Sequence, residues 1–238
     1  MTSRPGRALP LFAIVLLAAS FAASAESRLV IIGSRKLSID CDGPPSRSET
    51  VVLIAGLGRT AKDWEKVQPA VSRFARVCSY DLAGLGRSDK PPKPQTMDEI
   101  IDDLRALLKA AGEKPPYVLV GHSMAGIYSR RFVTRFPGDV AALLFVDSSH
   151  EEQFWRLHEI DPKGPAPNAD LADILFIRHG QRLEWQTKLP LIVLAHGTFG
   201  KRPPNFAEEQ FAAFDRVWRE LQQDLATRSP RSQFRIAE

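Results

Sequence analysis

The chain has 238 residues, 44% of them hydrophobic, with 32 basic and 28 acidic side chains and a formal charge of +4. The basic residues are scattered singly and two of them, Arg4 and Arg7, fall in an N-terminal leader, so the positive balance is no argument for a nucleic-acid partner. There is no low-complexity tract, and the composition is that of one globular domain with a sizeable core.

Residues 1–25 carry the pattern of a secretory signal peptide. Arg4 and Arg7 form a positive start, residues 11–19 an apolar centre, and Ala23-Ser24-Ala25 a small-residue cleavage site. The longer run from Ala8 to Ala23 contains Pro10 and Ser20 and falls short of the roughly 20 residues of a membrane span, so cleavage and a secreted or periplasmic location are expected. The mature chain from Glu26 would carry +2, from 30 basic and 28 acidic residues, and has no further apolar run fit to span a bilayer.

Residues 29–32, a turn at Gly33-Ser34 and residues 36–40 read as an opening β-hairpin. Residues 50–55 form a near-continuous apolar run, the sign of a strand buried on both faces. Trp64, Val67, Val71 and Phe74 recur at helical spacing and predict a helix over 62–74, followed by a strand at 76–80. After a Pro-rich loop, Thr96 as N-cap and Glu99 three residues later start a helix with an Ile100, Leu104, Leu107, Leu108 stripe. Strands are expected at 117–121, 140–146, 189–194 and 232–236, helices from the turn at 123 to Phe136 and over 207–227, and an irregular stretch over 149–188. Strands alternating with helices after a leading hairpin imply a mostly parallel sheet with helices on both faces. Cys41 ends the hairpin and Cys78 lies in the strand before Asp81; a bridge and two buried thiols both fit the residues alone.

The stretch Tyr117-Val-Leu-Val-Gly-His-Ser-Met-Ala-Gly126 is a short strand, a sharp turn and the start of a helix. That is the context in which a Gly-x-Ser-x-Gly motif lifts a serine hydroxyl clear of a sheet, which makes Ser123 a candidate nucleophile. Ala125 stands where the pattern has its second glycine; it is small enough for the turn, and Gly126 leaves room for the helix against the strand. Serine is a poor nucleophile unaided. It needs a histidine to take its proton, a carboxylate to hold that histidine, and two donors for the developing oxyanion.

Together with the hairpin, four segments resemble the α/β-hydrolase fold, specifically bacterial single-domain esterase-like members: Val51-Val-Leu-Ile-Ala-Gly-Leu-Gly58, Tyr80-Asp-Leu-Ala-Gly-Leu-Gly-Arg-Ser88, the Ser123 motif and Phe145-Val-Asp-Ser148. The resemblance covers residue 28 to the end. It implies oxyanion donors at the N–H groups of Leu57 and Met124, neighbouring strands for Cys41 and Cys78, a structural role for Asp81, and Asp147 as the best candidate acid, with a turn-capping aspartate as the alternative. It places a lid over 149–188, where Phe154, Trp155, Leu157 and residues 174–177 could line an acyl pocket or pack in the core. It also implies a base histidine and a closing helix after the last strand, whereas the chain ends at Glu238. His122, His150, His158, His179 and His196 all precede that strand; His150 and His196 follow strand ends and are the candidates nearest the site.

Two other readings remain. Gly56-Leu-Gly-Arg-Thr-Ala61 after a buried strand, with Asp81 twenty residues on, fits a dinucleotide fingerprint, although the leading hairpin and the leader argue against it. A hydrolase-like fold lacking its base could also be a binding protein. No H-E-x-x-H, paired C-x-x-C or P-loop lysine occurs, so no metal or cofactor is expected. The expected partner is a small-molecule substrate with a carboxylic ester, thioester, lactone or amide bond.

Overall fold

A computed structural model describes residues 27–44, 49–163, 185–197, 200–202, 204 and 206–237 of the chain. The expected leader, lid residues 174–177 and His179 lie outside these residues.

Among the described residues, eight strands, numbered in chain order with the ranges given below, form a single sheet in the order β1-β2-β4-β3-β5-β6-β7-β8. The hairpin of β1 (Arg28–Ile32) and β2 (Arg35–Asp42) is antiparallel, and β2 also runs antiparallel to β4 (Val77–Tyr80). From β4 onward every pairing is parallel, through β3 (Thr50–Ile54), β5 (Tyr117–His122), β6 (Val140–Val146), β7 (Leu191–His196) and β8 (Ser232–Ala237). Because side chains alternate along a strand, β3 sends Val52 and Ile54 into the larger core and Leu53 into a smaller one on the other face. The larger core lies under α2 (Met97–Ala110), α3 (Ala125–Arg135) and the end of α5 (Glu208–Ala226), which contribute Ile101, Phe132 and Leu225. The smaller one lies under Trp64. Among the described residues, no helix is long and apolar enough to cross a membrane.

The start of α2 is written locally. Thr96 Oγ1 accepts the Glu99 N–H and the Glu99 carboxylate accepts the Thr96 N–H, a reciprocal cap visible in the sequence. The helix expected over 62–74 is instead a 3-10 turn at Ala61–Trp64 and a single helical turn, α1 (Gln68–Val71). Pro69 explains the break, since it has no N–H to give the preceding turn and its ring crowds the carbonyl four residues back. In the stretch expected to be irregular, a helix α4 (Gln153–Ile160) forms after β6.

Cys41 and Cys78 face each other in the β2–β4 register with Cα atoms 4.1 Å apart, and they are bridged. This is the close-spaced type of antiparallel pair, where a short side chain reaches its partner. The bridge closes the segment that contains β3 and the Gly56 loop, and so ties the antiparallel margin of the sheet to its parallel centre.

Candidate active site

The parallel strands β5, β6 and β7 end side by side, and the residues just beyond them form the site. Ser123 follows β5 at φ 54°, a left-handed conformation that a serine adopts only where its surroundings enforce it. The enforcing contacts are local. A Cβ on Gly121 would lie 2.7 Å from the carbonyl of Ala125, so only glycine lets the chain double back there. Ser123 N–H still donates to Val146 O at 3.1 Å, and its carbonyl accepts from Gly126 N and Ser149 N. Gly126 makes its room for Ser148 on the loop after β6, not for the strand as the sequence suggested: an added Cβ would stand 2.4 Å from Ser148 Cβ.

Among the described residues, the Ser123 hydroxyl has no hydrogen-bond partner, and neither the Met124 nor the Leu57 N–H donates to a protein acceptor. The Leu57 loop lies against the serine, since a Cβ on Gly56 would stand 3.2 Å from Ser123 Cβ and 3.5 Å from His122 Nδ1. Beside it opens a cleft of about 700 Å³, lined by Gly58, Arg59, Thr60, Trp64, His122 and Val146. Asp81 spends its carboxylate on the loops themselves, taking Ala61 N–H at 2.9 Å and Arg87 N–H at 3.1 Å. That is the loop-fixing role.

Asp147 follows β6 and, like Ser123, has positive φ, at 43°. Its own N–H reaches across to Leu194 O at 2.9 Å, which extends the β6–β7 ladder by one step. Its Oδ1 accepts three N–H groups: His196 backbone N at 2.9 Å, His196 Nδ1 at 2.8 Å and Trp218 Nε1 at 3.2 Å. Donation from Nδ1 assigns His196 the tautomer with its lone pair on Nε2. The ring is stacked on Trp218 with centroids 6.1 Å apart, and Nε2 stands 3.6 Å from Asp215 Oδ1. The structure therefore joins Asp147 to His196, and no described contact joins His196 to Ser123.

The other histidines are elsewhere. His158 lies on α4, and His150 is buried in a cluster of charges with Arg130, Glu151, Asp224 and Arg228. Phe154, which the sequence leaves open to an acyl pocket or to core packing, packs onto the larger core. The sequence reading missed Trp218 and Arg130. Trp218 sits in the apolar stripe of α5, where nothing in the spacing marks an indole N–H that reaches a carboxylate. Arg130 has a buried guanidinium that donates to Ser149 O at 3.0 Å and steadies the loop joining Asp147 to Ser123. Among the described residues, the grouping of potential metal ligands Cys41, Cys78 and Glu113 consists of two bridged sulfurs beside a carboxylate held by Arg76 and Thr50.

The family model described as alpha/beta hydrolase fold matches residues 49–164. A curated protein of Hormonema carpetanum named "Probable transporter efuK" is 37% identical over 150 residues, 56% of this chain and 22% of that protein. An "AB hydrolase superfamily protein" of Gibberella zeae is 31% identical over 130 residues, 52% of this chain and 40% of that protein. The chain thus matches well under half the length of either relative. Among solved structures, a thermophilic esterase from Thermogutta terrifontis superposes with a TM-score of 0.62 at 19% identity, covering 90% of each chain.

Proposed function

Because the chain belongs to the α/β-hydrolase fold family, we propose that it is a serine hydrolase that cleaves a small carboxylic ester, thioester, lactone or amide through an acyl-enzyme on Ser123. The observation that carries this reading is the strained φ of Ser123 together with its unpartnered hydroxyl and the undonated N–H groups of Met124 and Leu57. Ser123 Oγ would attack the carbonyl carbon. The two amides would hold the oxyanion, the leaving group would depart with a proton, and water would then split the acyl–serine bond. Asp147 would be the carboxylate of this site, because it accepts from Nδ1 of the His196 imidazole and so fixes the ring's orientation. The leader and the Cys41–Cys78 bridge support export to an oxidising compartment as part of the same proposal.

One observation favours a second reading, in which the fold is catalytically impaired and serves to bind. His196 Nε2 faces Asp215, at 3.6 Å, and no described contact brings it to the serine. A fluorophosphonate probe separates the two. In a working hydrolase Ser123 is labelled at a rate that titrates near neutrality, and Ser123→Ala abolishes the labelling. Slow labelling that is flat with pH would mark a nucleophile without a base, because the proton acceptor is what makes the rate titrate. Labelling that persists in Ser123→Ala would refute the serine-hydrolase reading altogether.

A further inference from the structure

The loop leaving β6 ends in a buried cluster of charges. Arg130 from α3, Glu151 from the loop, and Asp224 and Arg228 from α5 and its end surround His150, which is only 2% exposed. Arg130 Nη1 and Arg228 Nη2 hold the two oxygens of Glu151 at 2.6 and 2.7 Å, and Arg228 also bonds Asp224 at 2.5 Å. Two guanidinium groups and two carboxylates balance when the imidazole is neutral. Its bonds say that it is neutral. His150 Nδ1 accepts the Glu152 N–H at 3.0 Å, with Glu151 Oε2 3.7 Å away, and so carries no proton; Nε2 donates to Asp224 Oδ2 at 3.0 Å, the Arg228 guanidinium standing farther off at 3.4 Å.

Glu152 is the N-cap residue of α4. His150 holds this helix start in two further ways, since its carbonyl accepts the Gln153 N–H at 3.1 Å and its own N–H reaches Gln153 Oε1 at 3.3 Å. The first turn of α4 therefore begins on one residue, through its ring at the Glu152 N–H and through its backbone at Gln153.

We propose that His150 is an acid-operated release for the segment from Glu152 to Ile160. A proton on Nδ1 removes the acceptor of the Glu152 N–H and adds a third cation between Arg130 and Arg228, so the start of α4 comes away from the cluster. The groups facing the ring set the sign. Burial disfavours the imidazolium and Arg130 adds to this, while Glu151 and Asp224 pull the other way without prevailing, so the closed form protonates below the ordinary 6.5. The open form binds the proton more readily, and opening is favoured progressively as pH falls below about 6.5. With an ordinary ring in the open form and a closed form that protonates less readily, the opening constant rises by at most about 30-fold between about pH 7.5 and about pH 5. The inference does not require Ser123 to be a nucleophile. The change would nonetheless be felt there, because Ser149 in the same loop donates to Ser123 O at 2.8 Å.

Hydrogen–deuterium exchange of the whole chain, corrected for the intrinsic pH dependence of exchange, tests this. Amides 152–160 should show an increase in opening on acidification of more than about threefold and up to about 30-fold, and α2 should not. His150→Asn supplies a side-chain oxygen to the amide two residues on and does not titrate, so its increase should stay within about threefold. Equal acid sensitivity in both proteins, or none in the unaltered chain, overturns the proposal. If His150→Asn does not fold, a nuclear magnetic resonance titration of the His150 ring in the unaltered chain decides. The ring must be neutral at about pH 7.5 and take up its proton only below about 6.5, and a ring already charged at neutral pH overturns it.

Discussion

Gly126→Ala measures how tightly the elbow helix is wedged against the loop after β6. In an open helix interior alanine would be favoured over glycine by about 1 kcal/mol. Here the new Cβ would stand 2.4 Å from Ser148 Cβ and 2.5 Å from its Oγ. Ser148 cannot yield by changing rotamer, because the nearest atom is the one attached to the backbone. That backbone is pinned on both sides: Asp147 N–H bonds Leu194 O at 2.9 Å, Ser149 N–H bonds Ser123 O at 2.8 Å, and Gln222 donates to Ser148 O at 2.7 Å. Overpacking costs about 1–3 kcal/mol, and a pinned, fully buried neighbour argues for the upper end. Less the propensity gain, the net loss is about 2 kcal/mol. For a chain of this size that is a fall of about 4–8 °C in Tm by calorimetry. Adding Ser148→Gly removes the opposing Cβ and should recover more than half of the loss, a non-additivity expected only of residues in contact. An unchanged or raised Tm in Gly126→Ala would show that the loop moves freely and that the wedge is not there.

Two further outcomes follow from the same contacts. The bridge spans a sequence separation of 37, so replacing Cys41 and Cys78 together by alanine should cost about 4 kcal/mol by the chain-entropy relation, read as a lower guanidinium midpoint than that of the oxidised chain; equal midpoints would mean that the margin of the sheet holds without it. Arg228→Met leaves the buried Glu151 with Arg130 as its remaining guanidinium partner and should cost about 3 kcal/mol in urea unfolding, whereas a loss under about 1 kcal/mol would mean that the carboxylate is satisfied without Arg228.

What could be read from the chain and what could not divide by the distance over which each feature is encoded. The Thr96–Glu99 cap, the hairpin turn at Gly33 and the elbow glycine Gly121 act over a few residues, and each is written where it acts. Pro69 was equally local. The apolar spacing of Trp64, Val67, Val71 and Phe74 outweighed it in the reading, but a missing donor breaks a helix whatever its stripe. The site is different, because its partners meet only after the sheet has formed. Asp147 is joined to His196 across 49 residues and to Trp218 across 71, and His150 to Asp224 across 74. Periodicity carries no record of such pairs.

Asp147 shows how far the two kinds of information reach together. Its place after β6 made it a candidate acid, and the same place made a turn-capping aspartate equally reasonable. The structure gives it features of both: the positive φ and the N–H to Leu194 belong to a turn that closes the strand ladder, and the carboxylate is turned onto an imidazole. The two are compatible, because a turn rigid enough to hold φ at 43° also fixes where the carboxylate points. Ser123 uses the same device one strand away, with its N–H on Val146 and its hydroxyl left over. Adjacent strands thus end in the same strained step, which spends backbone bonds on the sheet and leaves the side chains to the space above it.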